Sequence, residues 1–281
     1  MSVIVVTGAT SGIGKAAARR LRDEGHEVIG VGRSEGETER CDFSSLDEVR
    51  ALAGRLPERI DVLVNNAGVV SDGKKHSVDG IELTFAVNHL APFLLTNLVL
   101  DRIPDDGRVV TTSSDASKGR VIDLNDPASD DGSFLDLYGR SKLANILFTR
   151  ELARRLEGSG RVANCHHPGV IRTRLAREGG LVRDLAWRAA GLFFRSPQKG
   201  ADTLCWLATS EEAGAENGGY FVDRKRVAVR GQAEDEYAAQ ELWRRSEQMA
   251  GLAAPTPGPA AAGSYAGGDA GSADQRRRHR R

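Results

Sequence analysis

Tyr138 and Lys142 stand four residues apart in a segment rich in helix formers, so their side chains leave the helix on one face as neighbours. A tyrosine titrates near pH ~10, and an adjacent ammonium favours the phenolate, bringing the hydroxyl towards the range where a general acid or base works. The pair suits proton transfer to or from an alcohol or carbonyl oxygen. Ser113 and Ser114 follow an apolar run at 108–112, which places hydroxyls at the C-terminal edge of a strand, where ligands of open α/β sheets bind. A hydroxyl fixed there stabilises charge developing on a substrate oxygen; an ordinary capping serine is the alternative, and fits Ser113 better. Asn88 interrupts a long apolar helix pattern, where asparagine is a poor helix former and calls for a reason. A buried amide bonded to backbone is the plain reading.

A second group of residues suits an anion. The run Thr7-Gly8-Ala9-Thr10-Ser11-Gly12-Ile13-Gly14 lies between an apolar strand pattern and an amphipathic helix. Glycines allow a tight turn and close approach of the backbone, and the free amides and dipole of the helix N-terminus favour a pyrophosphate. At the end of the second strand pattern stands Gly32-Arg33-Ser34. An acidic residue there would take the ribose 2′-hydroxyl of NAD, whereas arginine accommodates the 2′-phosphate of NADP, so NADP(H) is expected over NAD(H). Glu35 is the competing signal. His166 and His167 are adjacent on an extended pattern, point opposite ways and have no third ligand near in sequence, so no metal is assigned.

These residues need a scaffold that brings strand ends together. Apolar, β-branched runs at 3–6, 27–31, 60–64, 108–112, 161–165 and 220–222 alternate with helical patterns at 13–24, 46–56, 81–100 and 138–156. That alternation predicts βαβ units and one doubly wound parallel sheet of α/β class, a Rossmann fold. Residues 117–135 lack periodicity and are expected to form a long loop over one end of the sheet. Between Arg174 and Ser196, basic residues mix with Leu181, Leu185, Trp187, Leu192, Phe193 and Phe194, a pattern that suits a cover over an apolar substrate. Arg172, Arg174, Arg177 and Arg183 leave an acidic substrate as the alternative. Residues 1–251 are expected to form one domain. The Gly, Ala, Pro and Arg-rich stretch 252–281 has too little apolar surface to order itself and reads as a disordered tail.

Composition narrows the function classes. The 39 basic and 39 acidic residues of this 281-residue chain cancel, so no global field recruits nucleic acid or an anionic membrane. Cys41, Cys165 and Cys205 are odd in number and far apart, which argues against a disulfide framework and for a reducing compartment. Neither a secretory leader nor an apolar run of the roughly 20 residues needed for a span is visible. A cytoplasmic protein without membrane partners is the expectation.

Taken together, the motifs resemble the short-chain dehydrogenase/reductase family. Its T-G-x-x-x-G-I-G pattern is matched by Thr7, Gly8, Gly12, Ile13 and Gly14, its N-N-A-G by Asn65, Asn66, Ala67 and Gly68, and its Y-x-x-x-K by Tyr138 and Lys142. The phrases Val87-Asn88-His89-Leu90, Ser141-Lys142-Leu143-Ala144-Asn145 and His167-Pro168-Gly169-Val170 resemble its retinol-dehydrogenase-like and WW-domain-oxidoreductase-like branch. The resemblance implies a catalytic set of Asn88, Ser114, Tyr138 and Lys142, with Lys142 also bonding the nicotinamide ribose and Asn88 holding a water path to it. It implies cofactor contacts from Gly8, Thr10, Ser11, Gly12, Ile13, Gly14, Arg33, Asn65, Ala67 and Gly68, with Asp42 and Phe43 at the adenine. Pro168, Gly169, Val170 and Thr173 would meet the nicotinamide. For Asp42, a surface carboxylate at a helix N-terminus is the alternative. The implied activity is NADP(H)-dependent interconversion of a small alcohol and its aldehyde or ketone, in a homo-oligomer. A nucleotide-sugar epimerase or dehydratase of the sister group fits less well, since its glycine spacing would be T-G-x-x-G-x-x-G. A catalytically silent NADP(H)-binding regulator is the rival from another class.

Overall fold

The computed structural model describes residues 1–33, 38–71, 75–169 and 195–252. One sheet organises them, in the order β3-β2-β1-β4-β5-β6-β7-β8. Its strands are β1 (Val3–Thr7), β2 (Glu27–Gly32), β3 (Glu39–Arg40), β4 (Val62–Asn65), β5 (Arg108–Thr112), β6 (Val162–His167), β7 (Tyr220–Val222) and β8 (Lys225–Arg226). All neighbours pair in parallel except the terminal β7/β8 hairpin. The reversal of winding between β1 and β4 opens a crevice beyond their C-terminal ends, where a doubly wound sheet binds its ligand. The sequence expectation of a parallel doubly wound sheet therefore holds.

Two apolar layers cover the sheet. On one face α1 (Gly12–Asp23) packs with α5 (Pro197–Thr209) around Leu21, Ala17 and Leu204. On the other, α2 (Leu46–Arg55), α3 (Leu83–Arg102), α4 (Phe134–Arg155) and α6 (Glu236–Met249) enclose the larger cluster. Helix α3 is long and apolar enough to cross a bilayer by length and composition, contrary to the expectation that no such run exists. Most of it is buried against protein, and two of its polar side chains are satisfied within the helix: Thr96 Oγ1 donates to the Pro92 carbonyl and Asn97 Nδ2 to that of Phe93.

Helix α4 starts at Phe134, four residues ahead of the apolar periodicity, because Ser133 and Asp136 form a reciprocal cap. The sequence pattern singles out neither α5 nor α6. Helix α6 is held by Trp243, which stacks on Phe148 at 5.8 Å, meets Phe93 edge-on at 4.9 Å and carries the Arg155 guanidinium over its face at 4.2 Å. The helix ends in a glycine turn: Gly251 adopts φ 62°, its amide bonds the Gln248 carbonyl, and the Leu252 amide bonds that of Glu247. Leu252, which the composition assigns to the tail, packs against the core instead. Residues 253–281 lie outside the described residues, as do residues 174–194 of the expected cover at 174–196.

Trp243 is 3% exposed. Trp243→Ala is expected to cost about 3–5 kcal/mol in chemical denaturation, through lost area and the cavity left behind. A loss below about 1 kcal/mol would show that α6 is not part of the cooperative core.

Candidate active site

Strand β1 ends at Thr7, whose buried hydroxyl donates to the Val64 carbonyl at 3.1 Å and accepts the amides of Asn66 and Ala67 at 2.9 and 3.0 Å. This single hydroxyl binds the glycine loop after β1 to the turn after β4. The two backbones then pass so closely that side chains would not fit. A Cβ at Gly14 would lie 2.3 Å from the Gly8 carbonyl oxygen, and one at Gly8 2.9 Å from Ala67 Cα. Helix α1 begins beside this cradle, and Ser11 at its N-cap makes no side-chain capping bond. By contrast, Ser45, Ser133, Ser196 and Asp235 cap α2, α4, α5 and α6. The first amides of α1 thus keep their donors for an anion, with no acidic residue in the first turn to compete. A dinucleotide pyrophosphate fits this cradle.

The crevice has a volume of about 670 Å³. Gly8, Thr10, Ser11, Gly12, Ile13, Ala67 and Gly68 line it, as do Arg33, Asp42 and Phe43 near the end of β2, and Pro168 and Gly169 after β6. Val170 and Thr173 lie outside the described residues. Two of the implied cofactor contacts, Asn65 and Gly14, do not line it, and neither does Asn88. Asn65, the last residue of β4, turns into the core and donates to Thr96 Oγ1 at 2.9 Å; strand alternation puts Asn66 on the crevice side instead. Gly14 acts through the close approach just described. Asp42 is not a helix cap: its Oδ1 accepts the amide and hydroxyl of Ser44, while Ser45 caps α2. Arg33 is exposed at the rim, without an ion-pair partner among the described residues.

At the far end, Ser114, Tyr138 and Lys142 converge. Ser113 is fully buried and donates to the Lys142 carbonyl at 2.7 Å. The cap belongs to Ser114, contrary to the sequence reading: its Oγ accepts the Ala116 amide at 3.2 Å, which leaves its own proton free to donate. Tyr138 is half-buried, and burial pushes its hydroxyl up to about 12, opposed only by a hydrogen bond with Ser114. The expected lowering by Lys142 is absent. The Lys142 ammonium sits 5.6 Å from the centre of the tyrosine ring and donates to the Thr112 carbonyl at 3.1 Å, and burial brings it down to about 8. Asn88 lies in a π-helical turn, Ala86–Leu90, within α3. Its Oδ1 accepts the Val69 amide at 2.7 Å, and its Nδ2 donates to the Val69 carbonyl and to Ser141 Oγ at 2.9 and 3.0 Å. The backbone-bonded reading of Asn88 is what the structure shows, with Gly68 between it and Lys142: a Cβ there would lie 3.2 Å from Asn88 Oδ1 and 3.7 Å from Lys142 Nζ.

Sequence reasoning missed Asn66 and His167 as lining residues. His167 Nδ1 accepts the Asp115 amide at 3.3 Å, whereas His166 is buried with Nε2 3.1 Å from Thr112 Oγ1, so the two rings diverge.

The sequence model described as short chain dehydrogenase matches residues 2–181. The chain belongs to the short-chain dehydrogenase family. It is a NAD(P)-dependent oxidoreductase acting on CH–OH groups. Human retinol dehydrogenase 14 is 38% identical over 291 residues, covering 89% of this chain and 86% of that protein. Among solved structures, an uncharacterized protein from Mycobacterium paratuberculosis superimposes with TM-score 0.72 at 32% identity, covering 89% and 94% of the two chains. A short-chain dehydrogenase from Burkholderia cenocepacia J2315 in complex with NADP gives TM-score 0.62 at 27% identity, covering 77% and 94%.

A buried ammonium costs this dehydrogenase stability. Unfolded, Lys142 titrates near 10.5 and folded near 8, so between those values the unfolded chain holds more protons and stability rises with pH. Below pH 8 the cost of burying the charge is present in full. Lys142→Met is expected to stabilise the cofactor-free protein at pH 7 by on the order of 1–3 kcal/mol and to remove this slope. Urea melts at two pH values measure both, and a Met variant less stable than wild type at pH 7 contradicts the assignment.

Proposed function

We propose that the enzyme interconverts an apolar alcohol and its aldehyde or ketone with NADP(H), using Tyr138, Lys142, Ser114 and Asn88. The observation that carries this reading is the convergence of Ser114, Tyr138 and Lys142 at the end of a crevice whose other end is an uncapped glycine cradle. The nicotinamide, when bound, gives or accepts the hydride. The Ser114 hydroxyl, fixed from behind by the Ala116 amide, donates to the substrate oxygen and holds it against Tyr138. Burial keeps the Tyr138 phenol protonated at neutral pH, so in carbonyl reduction it supplies the proton as charge develops on that oxygen. Lys142 holds a positive charge behind the tyrosine and would bond the ribose of the cofactor, while Asn88 fixes the Val69–Gly68 backbone beside it.

Arg33, at the rim beyond β2, supports a 2′-phosphate and so NADP(H) over NAD(H). Val69, Val70, Leu83, Val87, Phe134 and Leu135 line the substrate half of the crevice, which supports an apolar substrate. The relative named a retinol dehydrogenase agrees with such a molecule without specifying it.

Tyr138→Phe is expected to lower turnover of a carbonyl panel by ~10³-fold while NADPH affinity moves less than about threefold. Turnover within a few-fold of wild type rules out the tyrosine as proton donor. Arg33→Asp should shift the NADPH/NADH preference by at least about tenfold towards NADH, because it loses a charge-assisted bond worth about 1.5–3 kcal/mol. An unchanged ratio in paired kcat/KM measurements removes Arg33 from cofactor choice.

A further inference from the structure

A buried polar chain leaves the active site and crosses the core. The Thr112 carbonyl that accepts from Lys142 Nζ at 3.1 Å also accepts from Asn145 Nδ2 at 3.1 Å. Both donors come from α4, three residues apart, and both are buried. Asn145 Oδ1 and Nδ1 of His89 on α3 are both buried and make no hydrogen bond among the described residues, and the two side chains are near enough to interact. A proton on His89 Nδ1, facing that oxygen, leaves Nε2 as the acceptor for Ser246 Oγ at 2.9 Å, on α6. Burial brings the imidazole down to about 3, so it is neutral. In that tautomer Ser246 donates to His89 at one end, and Asn145 donates to the Thr112 carbonyl at the other.

We propose that His89 Nδ1 donates to Asn145 Oδ1, and that Asn145, so held by His89 and Ser246, is a positioning residue for the Lys142 ammonium. By occupying one side of the Thr112 carbonyl, Asn145 leaves Lys142 a single direction of approach and keeps the carbonyl from drawing the ammonium inward, away from the cofactor side. The Asn145 N–H dipole also opposes the ammonium charge across that carbonyl. The other titratable groups around Lys142 are Tyr138 on its own helix and His166 on β6, whose burial keeps it neutral as well. The inference rests on the proposed role of Lys142 towards the ribose.

Asn145→Leu in the full chain removes the donor at similar volume. The Thr112 carbonyl then serves the ammonium alone, which favours the charged form. NADPH affinity, followed by cofactor fluorescence from about pH 6.5 to 10, reads the Lys142 charge without any turnover. Wild type should show an affinity that falls with rising pH, and Asn145→Leu should move that alkaline limb upward by about half a unit or more and weaken binding below it. His89→Phe should move it the same way, and Ser246→Ala should do so by less. Thr149→Val, which removes a hydroxyl bonded to the Asn145 backbone carbonyl at 2.7 Å, should leave the limb in place. A wild-type affinity with no alkaline limb would sink the reading of Lys142 itself. A limb present in wild type but unmoved in Asn145→Leu, whatever happens to its melting temperature, overturns the relay alone. If Asn145→Leu does not fold, Ser246→Ala decides, and an unmoved limb there overturns the proposal.

Discussion

The Thr112 carbonyl is the point on which the catalytic end depends. It sits at the end of β5, between β4 and β6, where the sheet delivers one backbone acceptor to the floor of the crevice. An ammonium buried beside an aromatic ring needs such a partner, because water is excluded and desolvation weakens its hold on the proton. Helix α4 must dock so that two of its residues, Lys142 and Asn145, reach one oxygen. The reciprocal cap at Ser133, the Ser113 bond to the Lys142 carbonyl and the aromatic packing around Phe148 each fix part of that docking. Catalytic geometry and core packing on this face are one arrangement.

The cofactor end is organised by the opposite device, which is omission. Gly8 and Gly14 bring no side chain to the point where the two loops meet, and no side chain caps α1, although serine stands at its N-cap. Elsewhere in the structure the same residue type caps its helix. Unsatisfied amides at a helix start are a cost to the free protein, and an anion offsets it when bound.

Much of this was legible beforehand because it is written in periods and glycines. The strands that build the parallel sheet are apolar runs between turn signals, and Tyr138, Lys142, Ser114 and the glycine loop fall at their ends. What escaped is of other kinds. The two-residue strands β3 and β8 are too short to show a period. The start of α4 was hidden because its cap closes with aspartate, where the familiar signature has glutamate or glutamine. Asn65 and Asn66 differ only by which face of β4 they leave, and a shift of one residue in the strand end exchanges them. The direction of the Tyr138 shift depends on where the ammonium points, which spacing along a helix does not give.

The π-helical turn at Ala86–Leu90 makes α3 two rods out of phase. A widened turn amounts to one residue more than a regular helix would hold, so the segments on either side are rotated against each other by about a quarter turn. Upstream, Leu83 can face the crevice; downstream, Phe93, Leu94 and Leu95 can face the core without compromise. Deleting a single residue from this turn would restore an unbroken α-helix and bring the two halves into register. It would do so by turning Asn88 off the Val69 backbone, so a change that perfects the secondary structure would dismantle the wall of the site.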